Sequence, residues 1–163
     1  MDIWTERLER RHLPLLERWL MRNDGVLTLN DLPSGADQLA EWYETCAETP
    51  NRLDCLASVY DTPVGVTGLH RQQPGQDGTA SLYLFLGEVG YNIRRTATYV
   101  TIRMLDRAFS DLRQESTSVQ VYSHYGWFVE VLEQMGFSRK AEQDGVIRLA
   151  VEKTVFLNRK YLF

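Results

Sequence analysis

The segment 87–109, GEVGYNIRRTATYVTIRMLDRAF, constrains the fold of this chain more than any other. An apolar run, SLYLFL, leads into it, a basic turn occupies 92–95, and a helical pattern covers 94–113. Ala97, Val100, Met104, Leu105, Ala108, Phe109 and Leu112 share one side of that helix, while Arg103, Asp106, Arg107 and Ser110 take the other. This is the repeat of an amphipathic helix. The next apolar stretch, STSVQVYS, reads as a strand. Strand, helix and strand in that order require a parallel crossover, so the sheet must be mixed. A basic turn that opens a helix is also a place to hold phosphate, because the first turn has unpaired N–H groups and the positive end of the dipole.

The remaining segments supply partners for this unit. Residues 3–8 read as a short strand, with Trp4 and Arg7 on different sides. RHLPLLERWLMR carries Leu13, Leu16, Trp19 and Leu20 at helical spacing, and Pro14 suits only its first turn. Asn23-Asp24-Gly25 stops that helix, 26–32 is ambiguous, and Pro33-Ser34-Gly35 breaks the pattern. A second helix is expected over 36–48, with Leu39, Trp42 and Tyr43 on one side. LDCLASVYD, PVGVTGLHRQ and TASLYLFLG then read as an antiparallel meander, with turns at Asp61-Thr62-Pro63 and at PGQDG. GWFVEVLEQMGF reads as a helix closed by a left-handed Gly136, with Phe137 packing back. DGVIRLAVE and TVFLNRK are expected as a final pair of strands. The whole predicts one α/β (α+β) domain over 1–163, a mixed and mostly antiparallel sheet of about seven strands flanked by about four helices.

Composition narrows the function classes. A formal charge of −4 with interleaved signs argues against non-specific nucleic-acid binding, which needs a basic face. Cys46 and Cys55 make no metal-ligand pattern with the three histidines, and a reduced pair is expected. The charged start MDIWTERLERRH is no signal peptide, and no apolar run approaches the ~20 residues that cross a bilayer. A cytoplasmic protein with no membrane partner is the expectation.

Three stretches carry a family resemblance. The opening strand with RHLPLLERWL, LFLGE followed by a helix ending in LDRAFSDL, and VLEQMGF resemble, in that order, the GNAT N-acetyltransferase superfamily, closest to its RimJ/RimL-like branch and the related aminoglycoside acetyltransferases. The resemblance spans nearly the whole chain. It implies a sheet splayed between its fourth and fifth strands, an acetyl-CoA (or other acyl-CoA) cofactor, and direct attack by a primary amine of a small molecule or protein. It also implies a strand bulge near 85–87 that offers an N–H to the oxyanion. Phe85, Leu86 and Gly87 would then line the pantetheine. The family's glycine-rich loop falls on Asn92-Ile93-Arg94-Arg95-Thr96-Ala97, where only Ala97 keeps the small-residue rule and Arg95 replaces the first glycine.

The cofactor residues implied there are Arg94, Arg95, Thr96, Ala97 and Thr98, with the arginines taking over phosphate binding from bare amides. Tyr125 stands where the family commonly has asparagine and joins the cofactor set. Glu88, closing the fourth strand, is the first candidate base. The family's frequent general-acid tyrosine falls at Leu132, so Tyr122 and His124, just past the fifth strand, are the candidate proton donors. His124 is favoured because imidazole titrates near neutral pH. His70 is expected near the acceptor cleft and His12 on the surface. Trp4, Trp42, Tyr43 and Trp127 supply possible acceptor walls, with core packing the simpler role for Trp42 and Tyr43. No metal is implied, and a monomer or homodimer is expected. A catalytically inactive binding domain of the same fold, or an acyltransferase with another acyl donor, is the alternative.

Overall fold

A computed structural model describes residues 2–22, 32–33, 35–71, 78–88 and 90–163. The expected stop at 23–25, the ambiguous stretch 26–31 and the turn residues 74–77 lie outside the described residues. The elements are β1 (Ile3–Arg7), α1 (Leu13–Arg22), α2 (Leu39–Glu48), β2 (Arg52–Val59), β3 (Thr62–Arg71), β4 (Thr79–Leu86), α3 (Ile93–Asp106), β5 (Ser116–Tyr122), α4 (Gly126–Gln134), β6 (Ser138–Gln143), β7 (Val146–Glu152) and α5 (Lys153–Arg159). The seven strands among the described residues form one mixed sheet in the order β1-β2-β3-β4-β5-β7-β6, and the domain is α+β. β4 and β5 are parallel and every other pair is antiparallel. α3 is the crossover between the parallel strands, as the strand–helix–strand order required.

The two faces of the sheet are covered by different helices. Trp19 of α1 packs edge-on against Phe85 of β4, with ring centroids 6.4 Å apart. On the opposite face Cys55 of β2 lies against Arg107, in the π-helical turn Arg107–Asp111 that ends the long helix. Trp19, Leu16, Phe85, Met104, Leu105 and Phe128 are all buried. Burial of side chains this size contributes roughly 1.5–3 kcal/mol each before chain entropy is subtracted.

Three details differ from the sequence reading. TVFLNRK is helix α5, not a strand, so the α-helices number five among the described residues. Glu152 at its N-cap keeps extended angles, and only Phe156 reaches the core, 5.6 Å from the Phe109 ring. One buried position in seven suits a short surface helix, not a half-buried strand. The closing hairpin pairs β6 with β7 through Asp144 and Gly145, both at positive φ (53° and 77°). Two left-handed residues are what a tight I′ turn demands, so the Asp-Gly pair is the turn and β7 begins at Val146. His12 is buried, because a 3₁₀ turn folds its ring back and Glu9 N–H donates to His12 Nδ1 at 2.9 Å. The cap at Gly136 (φ +105°) is as expected, with Phe137 N–H donating to Leu132 O.

Candidate functional site: a wedge between two parallel strands

β4 and β5 pair only from Thr79↔Ser116 to Leu82↔Val119. Beyond that rung Tyr83–Leu86 and Gln120–Tyr122 diverge, and the sheet opens into a wedge. Gly87 N–H donates to Val64 O of β3 at 2.8 Å, which fixes the alternation along β4. Odd residues turn their backbone groups toward β3, and even residues turn theirs the other way. The amides and carbonyls of Leu84 and Leu86 therefore face the wedge with no strand opposite. The side chains of Phe85 and Leu86 are buried.

The end of β4 is pinned. Gly87 and Glu88 N–H both donate to Val64 O, at 2.8 and 3.2 Å, the two-against-one pattern of a β-bulge. The bulge expected near 85–87 thus sits at Gly87 and Glu88. A Cβ on Gly87 would overlap the Trp19 indole, so only glycine lets the bulge pass beneath α1. Trp19 Nε1 donates to Glu88 Oε1 at 2.7 Å, and Arg22 Nη2 donates to Gly87 O at 2.5 Å. The Arg22 guanidinium lies 3.8 Å from the same Glu88 oxygen.

The first turn of α3 places the two arginines in solvent. Asn92 is the N-cap, its Oδ1 accepting from Arg95 N–H at 3.0 Å and its backbone oxygen from Thr96 N–H at 2.9 Å. Arg95 lies inside the helix and is not among the positive-φ residues, so its side chain causes no backbone strain. Its guanidinium lies over the Tyr99 ring, 5.8 Å from the centroid. Arg94 pairs with Glu130 of α4 at 3.8 Å, which brings the start of α3 beside α4. Thr96 and Ala97 are buried, and Thr98 Oγ1 donates to Arg94 O at 2.7 Å.

Aromatic rings line the end of β5. Tyr122 and His124 stack with centroids 5.7 Å apart and planes at 18°, and His124 lies 4.2 Å from Tyr125. Tyr125 is the N-cap of α4. Burial, aided by neighbouring Tyr122, raises its phenol above the ordinary range, so it stays a neutral hydrogen-bond donor. Ser123 N–H donates to Gly145 O, tying this corner to the β6–β7 turn. The structure thus groups Tyr122, His124 and Tyr125 as one cluster, Arg94 and Arg95 as a second, and Glu88 with Trp19 and Arg22 as a third.

A further polar network lies under α2, and sequence reasoning missed it. Arg52 binds Asp54 through two hydrogen bonds of 2.8 and 3.0 Å. Tyr83 OH donates to Asp54 Oδ1 at 2.5 Å, and His70 Nδ1 lies 3.4 Å from Arg52 Nη1. The Arg52 guanidinium also sits over the rings of Trp42 and Tyr83, at 5.8 and 5.9 Å. Asp54, Gly68 and Tyr83 are direct cross-strand neighbours. A Cβ on Gly68 would overlap the Tyr83 ring, so this glycine lets Tyr83 lie across β3 and reach Asp54. A glycine inside a strand was the available signal. Among the described residues no group of three or more His, Cys, Asp or Glu is placed to hold a metal ion, and no helix is long and apolar enough to cross a membrane.

No family model matches the sequence, and no curated protein sequence matches it. Solved structures do match the fold. Spermidine N-acetyltransferase from Vibrio cholerae in complex with CoA and spermine superposes with a TM-score of 0.76 over 96% of this chain and 98% of that one, at 16% identity. A point mutant of the Vibrio cholerae spermidine N-acetyltransferase SpeG gives 0.77 over 97% and 98%, at 18% identity. A dodecameric structure of the Vibrio cholerae enzyme gives 0.76 over 96% and 97%, at 17% identity. The likeness is one of fold, end to end: this chain is built as these N-acetyltransferases are, with the splayed sheet that the GNAT resemblance implied.

Proposed function

We propose that this chain is an acyl-CoA-dependent N-acyltransferase that moves an acetyl or related acyl group to a primary amine of a small molecule or protein. The observation that carries the reading is the wedge: β4 leaves the backbone groups of Leu84 and Leu86 unmatched by β5, beside a helix start that presents Arg94 and Arg95. Coenzyme A combines amides, which suit an open strand edge, with phosphates, which suit guanidinium groups. Acetyl-CoA, when bound, supplies an activated thioester carbonyl. The fold-level likeness to an acetyltransferase solved with CoA and spermine supports the same reading.

The acceptor nitrogen must be neutral to attack, so a side chain or water has to take its proton. His124 is exposed at the end of β5, stacked on Tyr122 and tilted against Tyr125, and we assign proton handling to this cluster. Tyr125, whose phenol is raised above its ordinary range by burial, lies against the His124 ring at the same corner. Glu88 is held by Trp19 and Arg22, and we give it the task of fixing the β4 end rather than that of base. We further read the chain as a cytoplasmic monomer or homodimer.

One observation favours a second reading, a ligand-binding domain of this fold without catalysis. Asn92 takes the N–H groups of Arg95 and Thr96, so part of the first turn is closed to a phosphate. Calorimetry with acetyl-CoA separates the two. Wild type is expected to bind below ~1 mM, the upper end of ordinary KM values. Arg94→Ala/Arg95→Ala is expected to bind at least about tenfold more weakly, the loss of ~1.4 kcal/mol. No binding by wild type would overturn the acyltransferase reading. Unchanged binding by the double variant would remove the arginines from it. Amine-dependent release of free thiol then distinguishes catalysis from binding.

A further inference from the structure

α1 carries Leu15, Arg18, Trp19 and Arg22 at spacings of three and four residues, which puts them on one side of the helix. With Met21 and Glu88 they line a depression of about 340 Å³ beside the β4 bulge. The Trp19 indole is its buried floor, and Leu15 with the exposed Met21 gives apolar walls. Among the described residues three charges face it: two guanidiniums, Arg18 and Arg22, against one carboxylate, Glu88.

These charges are not equivalent. Glu88 Oε1 already accepts from Trp19 Nε1 at 2.7 Å and faces Arg22 at 3.8 Å. Arg22 in turn holds Gly87 O. Arg18 is exposed and has no ion-pair or hydrogen-bond partner among the described residues. Among the described residues the depression therefore offers an incoming ligand a forked cationic donor beside apolar walls, with the Glu88 carboxylate already engaged.

We propose that this depression receives the acceptor, and that the acceptor carries a carboxylate as well as its amine: an amino-acid-like zwitterion rather than a polyamine. The inference rests on the acyltransferase reading above. A carboxylate accepts paired hydrogen bonds from a guanidinium, while the intervening carbon chain lies between Leu15 and Met21. A diamine of the same length would bring a second cation toward Arg18 and Arg22 and gain no free carboxylate among the described lining residues. The preference thus comes from repulsion as much as from attraction.

The test uses three amines of equal chain length: aminopentanoate, pentylamine and diaminopentane. Thiol release from acetyl-CoA is followed with each, for wild type and Arg18→Gln. Wild type is expected to show a kcat/KM for aminopentanoate at least about tenfold above that for diaminopentane. Arg18→Gln is expected to erase most of that preference by raising the aminopentanoate KM, with the acetyl-CoA KM unmoved. A diamine used as well as the amino acid overturns the proposal. So does an Arg18→Gln variant whose acetyl-CoA KM rises instead, since the arginine would then serve the cofactor. If acetyl-CoA binds but no amine releases thiol, calorimetry of aminopentanoate on the CoA-saturated protein decides: binding that Arg18→Gln abolishes upholds the site, and no binding overturns it. If acetyl-CoA itself does not bind, the acyltransferase reading falls alone, and the same titration on unliganded protein still judges the carboxylate site.

Discussion

The two halves of the sheet that meet at the wedge hold their shared face in opposite ways. On β2–β4 that face lies under α1 and α2, and its polar groups are tied to one another: Arg52, Asp54, His70 and Tyr83 form one network, and Trp19, Arg22 and Glu88 another. On β5 and β7 the same face continues through Gln120, Arg148 and Glu152, all exposed, toward Tyr122 and His124. One side of the wedge is a fixed edge whose backbone is set by hydrogen bonds from β3 and α1. The other side carries the exposed Gln120, Arg148 and His124. A transfer site needs both, since a cofactor needs a rigid edge to align on and an acceptor needs a way in.

The contrast makes ordered predictions. The largest concerns the Arg52–Asp54 pair of the fixed half, whose side chains are only 9% and 10% exposed. Asp54→Ala leaves the largely desolvated Arg52 guanidinium without this carboxylate and should cost about 3–5 kcal/mol in urea denaturation. The paired replacement Arg52→Met/Asp54→Leu should recover most of that loss. A cost below ~1 kcal/mol for Asp54→Ala would mean that this half is not held by its charges.

The fixed half also buries Cys55 on its α3 face, where burial pushes the thiol up to about 11, outweighing the nearby Arg107 guanidinium. A buried thiol that keeps its proton longer than the unfolded chain makes folding less favourable as pH rises. The unfolded state loses its proton near pH 9, and the folded state only near pH 11. Stability should therefore fall by roughly 2–3 kcal/mol across that window and be unaffected by this group below it. Cys55→Ala should flatten the alkaline slope by that amount, and an identical slope in the variant would contradict the assignment.

The smallest stability effect belongs to the open half. His124→Ala should change unfolding free energy by no more than about 0.5 kcal/mol, as for an exposed side chain. If the aromatic cluster handles the acceptor's proton, the same variant should lower kcat/KM by about 10². A large stability loss with little kinetic effect would reverse the roles given to the two halves.

The crossover around α3, the β2–β4 meander and the Gly136 cap were legible in the sequence because each rests on a local pattern of period, turn residue or glycine. The same local logic failed at TVFLNRK, where β-branched residues suggested a strand although only Phe156 has core to meet. It also failed at His12, whose burial depends on a single 3₁₀ turn. For the site, 92–97 and 122–125 stood out as a basic helix start and a run of aromatics. The link from Trp19 to Glu88 spans 69 positions, and the path from Asp54 over Gly68 to Tyr83 exists only in one register of three strands. A one-residue slip would turn those side chains to the other face. Such contacts are set by tertiary pairing, so no periodicity announces them.

The central claim is that β4 offers its open edge to the cofactor. Residue-resolved amide hydrogen exchange tests it most directly, with the protein alone and saturated with CoA. The account predicts that exchange at Leu84 and Leu86 slows by at least about tenfold on saturation, as each amide gains a partner, while amides on the outer strand β6 are unchanged. Unaltered exchange at both leucines in protein shown by calorimetry to be saturated would contradict it.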